Sequence, residues 1–169
     1  MKTFKTFGKT LCMAAVLFIL NSCNKDDDNT PAPYVPAANT SFVKGTVEGT
    51  AFSSLTASCS KAGSGADAVV TILGADLAAN SISLVLVGIT ATGTYDVNNA
   101  TNSVLNYSPG SGGVAYSTGE CSAASGTITV TAIDATHVEG TFSFTGKDTD
   151  NCDTGATKTV TNGTFKGVF

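Results

Sequence analysis

From Ser41 to the carboxyl terminus, apolar side chains return at every second position, and no segment keeps helical spacing for more than one or two turns. In 138–146, VEGTFSFTG, Val138, Phe142 and Phe144 share a face with Gly140, while Glu139, Thr141, Ser143 and Thr145 share the other. Successive side chains of a strand point to opposite faces, so this pattern buries one face and leaves the other in water. The same reading of 127–133 puts Ile128, Val130 and Ala132 inside. Strands are expected at 42–48, 52–58, 67–73, 81–90, 113–118, 127–133, 138–146 and 158–165, with Gly, Asn or Asp between them. The segment 81–89, SISLVLVGI, differs because both of its sides are apolar, which suits a central strand covered on both faces. The expected fold is all-β, a single antiparallel β-sandwich or flattened β-barrel of about eight to nine strands over 41–169.

The amino terminus has a different logic. Lys2, Lys5 and Lys9 precede the apolar decamer 11–20, LCMAAVLFIL, a basic region and a hydrophobic region of secretory type. Ten residues are too few to cross a bilayer, which takes about 20 in a helix. Leu20-Asn21-Ser22-Cys23 resembles a bacterial lipobox. That resemblance implies a signal peptide over 1–22, a diacylglyceryl thioether on Cys23, cleavage before it and acylation of the new amino terminus. Each buried CH₂ contributes about 0.8 kcal/mol, so two or more acyl chains anchor stably where one is marginal. Lys25, Asp26, Asp27 and Asp28 resemble the Lys-plus-acidic export signal of Bacteroidota lipoproteins, which implies an outer-membrane position facing the cell exterior. Residues 23–40 carry this charge with Pro31, Pro33 and Pro36 and are expected to be an extended tether, some 50 Å long at about 3.1 Å per residue.

Charge and composition exclude several partners. From Cys23 onward there are six lysines, no arginine and thirteen acidic residues, a net −7. No basic stripe exists to follow a phosphate backbone, so nucleic acid is not an expected partner. Enzyme signatures are equally sparse. The lone histidine, His137, sits in the short connection after Asp134, and a polar turn residue is its expected role. Zinc sites need several His or Cys ligands at short spacing, and the chain has no such set. Glu48, Glu120 and Glu139 give no pair a preference as glycosidase carboxylates. No catalytic residue and no cofactor are expected.

Two constellations remain as sites. Tyr95, Tyr107 and Tyr116 surround the Gly/Ser-rich stretch 108–113 and could form an aromatic platform for a sugar or a peptide. Asp148, Asp150 and Asp153 alternate in one loop as weak calcium candidates, although an EF-hand would require Gly and Glu where Asp153 and Thr159 stand. The expected function is non-catalytic binding of a carbohydrate, peptide or protein ligand at the cell surface. A structural subunit of a surface complex is the alternative, and a hydrolase a more distant one.

Three cysteines fall in the β region, Cys59, Cys121 and Cys152, and composition alone allows any of three pairings. Hairpin register narrows the choice. If 127–133 pairs antiparallel with 138–146 across a turn near Thr136, facing residues have numbers that sum to about 271. Extension of that register brings Cys121 opposite roughly residue 150, within reach of Cys152. Cys59 is then the free thiol.

Val47-Glu48-Gly49-Thr50-Ala51-Phe52, Gly93-Thr94-Tyr95, Gly140-Thr141-Phe142-Ser143-Phe144 and Val160-Thr161-Asn162-Gly163-Thr164-Phe165 together resemble a family of uncharacterised Bacteroidota surface lipoproteins, a domain of unknown function. The resemblance covers most of 43–165 and implies the all-β class and the surface location, with no catalytic residues. Lipid-modified Cys23 should be the first residue in peptides from a membrane fraction, and Cys23→Ala should abolish that modification. Replacement of Asp26, Asp27 and Asp28 by alanine should remove protease access on intact cells while membrane attachment persists; an unmodified terminus upstream of residue 23 would contradict the lipoprotein assignment.

Overall fold

In a computed structural model, residues 39–169 are described, and the expectations for 1–38, including Cys23, Lys25, Asp26, Asp27 and Asp28, lie outside them. The alternation becomes eleven strands: β1 Phe42–Val47, β2 Thr50–Ser53, β3 Thr56–Ala62, β4 Val69–Ala75, β5 Ser81–Val87, β6 Gly93–Asn98, β7 Val104–Ser108, β8 Tyr116–Ser117, β9 Ser125–Ile133, β10 His137–Asp148 and β11 Thr157–Val168. A 3-10 turn at Gly65–Asp67 is the only helical element among the described residues. All strand pairs are antiparallel, in the order β2-β1-β11-β10-β8-β7-β5-β4-β3, with β9 and then β6 branching from the same edge of β10 that holds β8. The sheet curls into a half-barrel.

The curl brings two layers face to face. In one, β6, β9, β10, β11, β1 and β2 lie side by side; in the other, β8, β7, β5, β4 and β3. Their inner faces enclose Val43, Ile72, Ile82, Leu84, Leu105, Ile128, Val138, Val160 and Phe165, each no more than 1% exposed. Contact is close enough that a Cβ on Gly74 would fall 2.7 Å from Val43 Cβ, and one on Gly167 would fall 2.5 Å from Cys59 Sγ. At one corner the chain itself passes between layers. Ser54 N–H donates to Val43 O at 2.9 Å, Val43 N–H donates to Ser54 Oγ at 2.9 Å, and Leu55 N–H donates to Ala75 O at 2.8 Å.

Bulges set the curvature. Along β9–β10 the facing numbers sum to 271 at Val138↔Ile133 and Glu139↔Ala132, then to 270 from Gly140↔Val130 onward, because Thr131 is an extra residue; the bulge turns Ala132, expected inside, outward beside Glu139 and puts Ile133 against the core instead. On β11, Thr161 and Asn162 together oppose the single Ser143, and Asn162 adopts φ 52°. Asn tolerates this left-handed conformation better than other residues, and a bulge of this kind bends the strand and increases its twist. The Gly at 163 has a separate cause: a Cβ there would lie 2.7 Å from Phe142 ring carbons.

Several expectations are corrected. The expected strand at 52–58 is two strands, because Ser54 and Leu55 turn the corner between layers. Within 113–118 only Tyr116 and Ser117 pair. β6 and β7 were not anticipated, since GTYDVN and VLNYS are short and carry Asp and Asn among few apolar residues. β5 is not covered on both faces: Ile82, Leu84 and Leu86 are buried, whereas Val85 and Val87 are half-exposed with no further layer over them among the described residues.

Cys121 and Cys152 form a disulfide with Cα atoms 5.2 Å apart, closing a sequence separation of 31 residues. The loop-entropy relation gives this cross-link roughly 3 to 4 kcal/mol. Cys121→Ser with Cys152→Ser should therefore lower the thermal midpoint by about 10 °C, read by circular dichroism; a shift below a third of that would mean the link constrains little.

Candidate functional site

One end of the half-barrel carries the β1–β2, β4–β5, β7–β8 and β10–β11 connections. β1 runs from Phe42, opposite Lys166, to Val47, opposite Val160, so its turn at Glu48 and Gly49 lies at the end away from Ser41. The β4–β5 turn joins it there. Asp76 Oδ1 accepts from the Ala78 and Asn80 N–H groups at 2.9 Å each, and Asp76 Oδ2 accepts from Asn80 Nδ2 at 2.8 Å. Asn80 Oδ1 in turn accepts Gly110 N–H at 2.9 Å and the Tyr107 hydroxyl at 3.4 Å. Burial, followed by the Asp76 carboxylate and Tyr116, pushes the Tyr107 phenol above its ordinary value.

Tyr107 and Tyr116 face each other across β7 and β8 with ring centroids 6.3 Å apart, and the Lys158 ammonium lies 6.0 Å from the Tyr116 centroid. Tyr95 does not join them. It sits on β6, opposite Ile128, packs on the core and donates its hydroxyl to Ala91 O at 2.8 Å. The three-tyrosine platform is thus a pair, with the third ring held on another branch of the sheet. The cavity beside Tyr107, 220 Å³, is bordered by Glu48, Asp76, Asn80 and Lys158, and the amide and carboxylate there already brace two loops.

The acidic loop is built for its own turn. Asp148 Oδ1 accepts Asp150 N–H at 2.9 Å, Asp153 offers its backbone carbonyl to Lys147 Nζ at 3.5 Å, and the disulfide draws Cys152 toward Cys121. Asp148, Asp150 and Asp153 do not converge, and no group of three His, Cys, Asp or Glu among the described residues could hold a metal. His137 opens β10. Its Nδ1 lies 3.0 Å from Asp134 Oδ2, and its N–H donates to Asp134 Oδ1 at 2.9 Å. The Thr136 hydroxyl and N–H, with the His137 N–H, hold the Asp134 carboxyl well below the usual range. Glu48 accepts Thr159 N–H at 2.6 Å, while Glu139 lies 3.8 Å from Lys166 at the other end. Val160 to Lys166 along β11 spans roughly 20 Å at 3.3 Å per residue, beyond any glycosidase carboxylate pair.

A surface that the tyrosine and aspartate motifs did not indicate lies on the outward side of β6, β9, β10 and β11. Across these strands the pairs Asp96↔Thr127, Thr127↔Ser143 and Asn98↔Ser125, Ser125↔Thr145, Thr145↔Thr159 align polar side chains in transverse rows. Between these two rows runs a groove of 420 Å³, floored by Val97, Gly126, Phe144 and Val160. A second groove, 580 Å³, lies between the Thr127 row and the row of Thr129, Thr141 and Thr164. Neighbouring hydroxyls pair in places, with Thr94 to Thr129 at 3.0 Å and Thr127 to Ser143 at 3.3 Å. The signal was present as Thr-x-Thr and Thr-x-Ser alternation, but only cross-strand register turns it into grooves.

Cys59, the remaining thiol of the domain, is half-buried against Gly167, and burial pushes it up to about 11. At pH 8 very little of it is thiolate, whereas an unperturbed thiol near 8.5 is about a quarter ionised. Native protein should react with iodoacetamide about two orders of magnitude more slowly than the same chain in denaturant; equal rates would show that Cys59 is solvated.

The model of the family described as a domain of unknown function, DUF6252, matches residues 39–169, and the chain belongs to that family. No curated protein and no solved structure matches it.

Proposed function

We propose that this is a lipoprotein, held by acylated Cys23 on the outer face of an outer membrane, whose domain binds carbohydrate without catalysis. The observation that carries the binding role is the pair of transverse grooves on β6, β9, β10 and β11. Their walls are hydroxyls and two amides, Asn98 and Asn162, groups that both donate and accept, with Asp96 as the one charge. A sugar chain offers the same mixed hydrogen-bonding, so a neutral or weakly charged glycan fits. An extended peptide would instead seek unpaired backbone at a sheet edge. The stacked Tyr107 and Tyr116 supply a secondary contact at the loop end.

The placement of the chain supports this reading. The Val168 N–H donates to Ser41 Oγ at 3.0 Å, so the tether joins the domain at the end opposite the Glu48 turn. β11 has twelve residues, and at about 3.3 Å per residue the loop end stands roughly 35 Å beyond that junction. The grooved flank runs along the strands between that junction and the Glu48 turn.

The test is a glycan array followed by titration with the chain from Cys23 onward. Thr127→Val with Thr159→Val keeps side-chain shape and strand propensity while removing two wall hydroxyls. Loss of about 1 to 3 kcal/mol per group should weaken a bound glycan tenfold or more, with the melting temperature unchanged. Binding that ignores these substitutions, or a chain that binds no glycan, would overturn the proposal.

A further inference from the structure

The two layers differ in what they show to solvent. The grooved layer carries Lys44, Asp96, Glu139, Lys147 and Lys166 among its outward or edge residues, whereas the outward face of β3, β4, β5 and β7 carries no charge at all. That second face presents Val69, Leu73, Val85, Val87 and Val104, and otherwise only Ser, Thr, Ala and Asn. Register places Val69 beside Val87 and Val85 beside Val104, so the valines form one patch. Among the described residues four large hydrophobic side chains are exposed; Leu73, at 43%, lies on this face, while Leu55 at 59% and Leu77 at 87% lie in the connections at its Ala75 end. Leu55 is bonded to the end of β4 through Ala75, and Leu77 follows in the turn after it. This is the second apolar side of SISLVLVGI, and no further layer lies over it among the described residues. Contiguous apolar surface of this kind marks an interaction face.

We infer that this face pairs with the same face of a second copy of the chain. Charge selects the occupant. The described residues hold five lysines and ten acidic groups, a net −5, so two copies repel through the surfaces that carry those groups. The β3-β4-β5-β7 face is the approach with no like charges to bring together and no ionic groups to desolvate. A basic partner would be drawn to the acidic surfaces and would gain nothing here. A two-fold pairing is self-complementary by construction, and Val, Ser and Thr are small enough for two sheets to stack about 10 Å apart. Three strands of seven residues and one of five, about 4.8 Å apart, offer roughly 400 Å² per copy. That is below the roughly 800 Å² per partner of a standard interface. The pair is therefore weak in solution, and confinement of both copies to one membrane, as proposed above, would strengthen it by effective concentration.

Sedimentation of the full-length mature chain, once in detergent with its lipid and once as Cys23→Ser without it, tests this. Wild type should associate to a dimer at high micromolar concentration, and added salt should tighten rather than loosen it, because only long-range repulsion is screened. Val85→Asp and Leu73→Asp, both at solvent-accessible outward positions, should each weaken the dimer at least about tenfold, which is about 1.4 kcal/mol or more. Ser53→Asp, on the outward face of the other layer, should not. Circular dichroism identifies any variant that fails to fold, and the other aspartate variant then decides. A chain that stays monomeric at every concentration, a dimer dissolved by salt, a dimer indifferent to both aspartates, or a Val85-dependent complex formed only with a different protein would each overturn the inference.

Discussion

Everything in this fold passes through one edge of β10. From Val138 to Thr145 that edge bonds β9, and two residues later, at Lys147 and Asp148, it bonds β8 instead. Backbone groups cannot serve two strands at one position, so the sheet must fork there. One branch continues to β6 and the other to β7, β5, β4 and β3. On its opposite edge β10 holds β11 along nearly its whole length. The fork creates the second layer, and the corner at Ser54 and Leu55 returns the chain between layers at the other side. Phe142, Phe144 and Phe165 fill the space beside the fork, with ring centroids 6.3 Å apart for Phe142 and each neighbour. The Cys121–Cys152 link ties the segment after β8 to the β10–β11 loop, at the place where the two branches diverge.

The parts of the sequence that were legible are those where burial is one-sided and the strand is long. VEGTFSFTG and the part of GTITVTAID up to Val130 announce their faces because each apolar residue has a polar neighbour on both sides, whereas beyond it the Thr131 bulge turns Ala132 outward and Ile133 onto the core. Register across the short turn at 134–136 was legible for the same reason, since slipping by one residue would turn Phe142 and Ile128 into water. The bulge at Thr131 changes the pairing sum by only one, so the approach of Cys121 to Cys152 is insensitive to it. β6 and β7 were illegible because their pairing is supplied from far away. Tyr95 and Val97 face inward only because β9 lies beside them, and Leu105 only because β5 does. The reading of 81–89 as doubly apolar was sound as a pattern, but coverage of the second side is a property of neighbours and not of the segment.

The candidate site divides in the same way. Tyrosines and aspartates stand out in a sequence, so they drew attention, yet the fold separates Tyr95 from the other two and spends Asp148 on a local turn. Threonine and serine are individually unremarked because strand propensity alone accounts for them. Their significance arises only when four strands align Asp96, Thr127, Ser143 and Asn98, Ser125, Thr145, Thr159 into walls. Such a property belongs to register, and the bulges at Thr131 and Asn162 are part of it, since each shifts one row relative to the next.

A physical tension runs through the whole surface. A domain with twice as many acidic as basic groups stays dispersed by repulsion, and loop ends and the grooved layer carry that charge. The β3-β4-β5-β7 layer abandons the strategy and keeps valine and leucine outward. Strand edges at β3 and β6 are blunted by Lys61 and Asp96, so uncontrolled edge-to-edge addition is opposed while the face remains open. The third edge, β2, is only four residues long and offers little backbone for such addition. The domain is thereby divided into a hydroxyl-walled flank that carries charge and an uncharged flank that presents valine and leucine, with the fork in β10 keeping the two on separate layers.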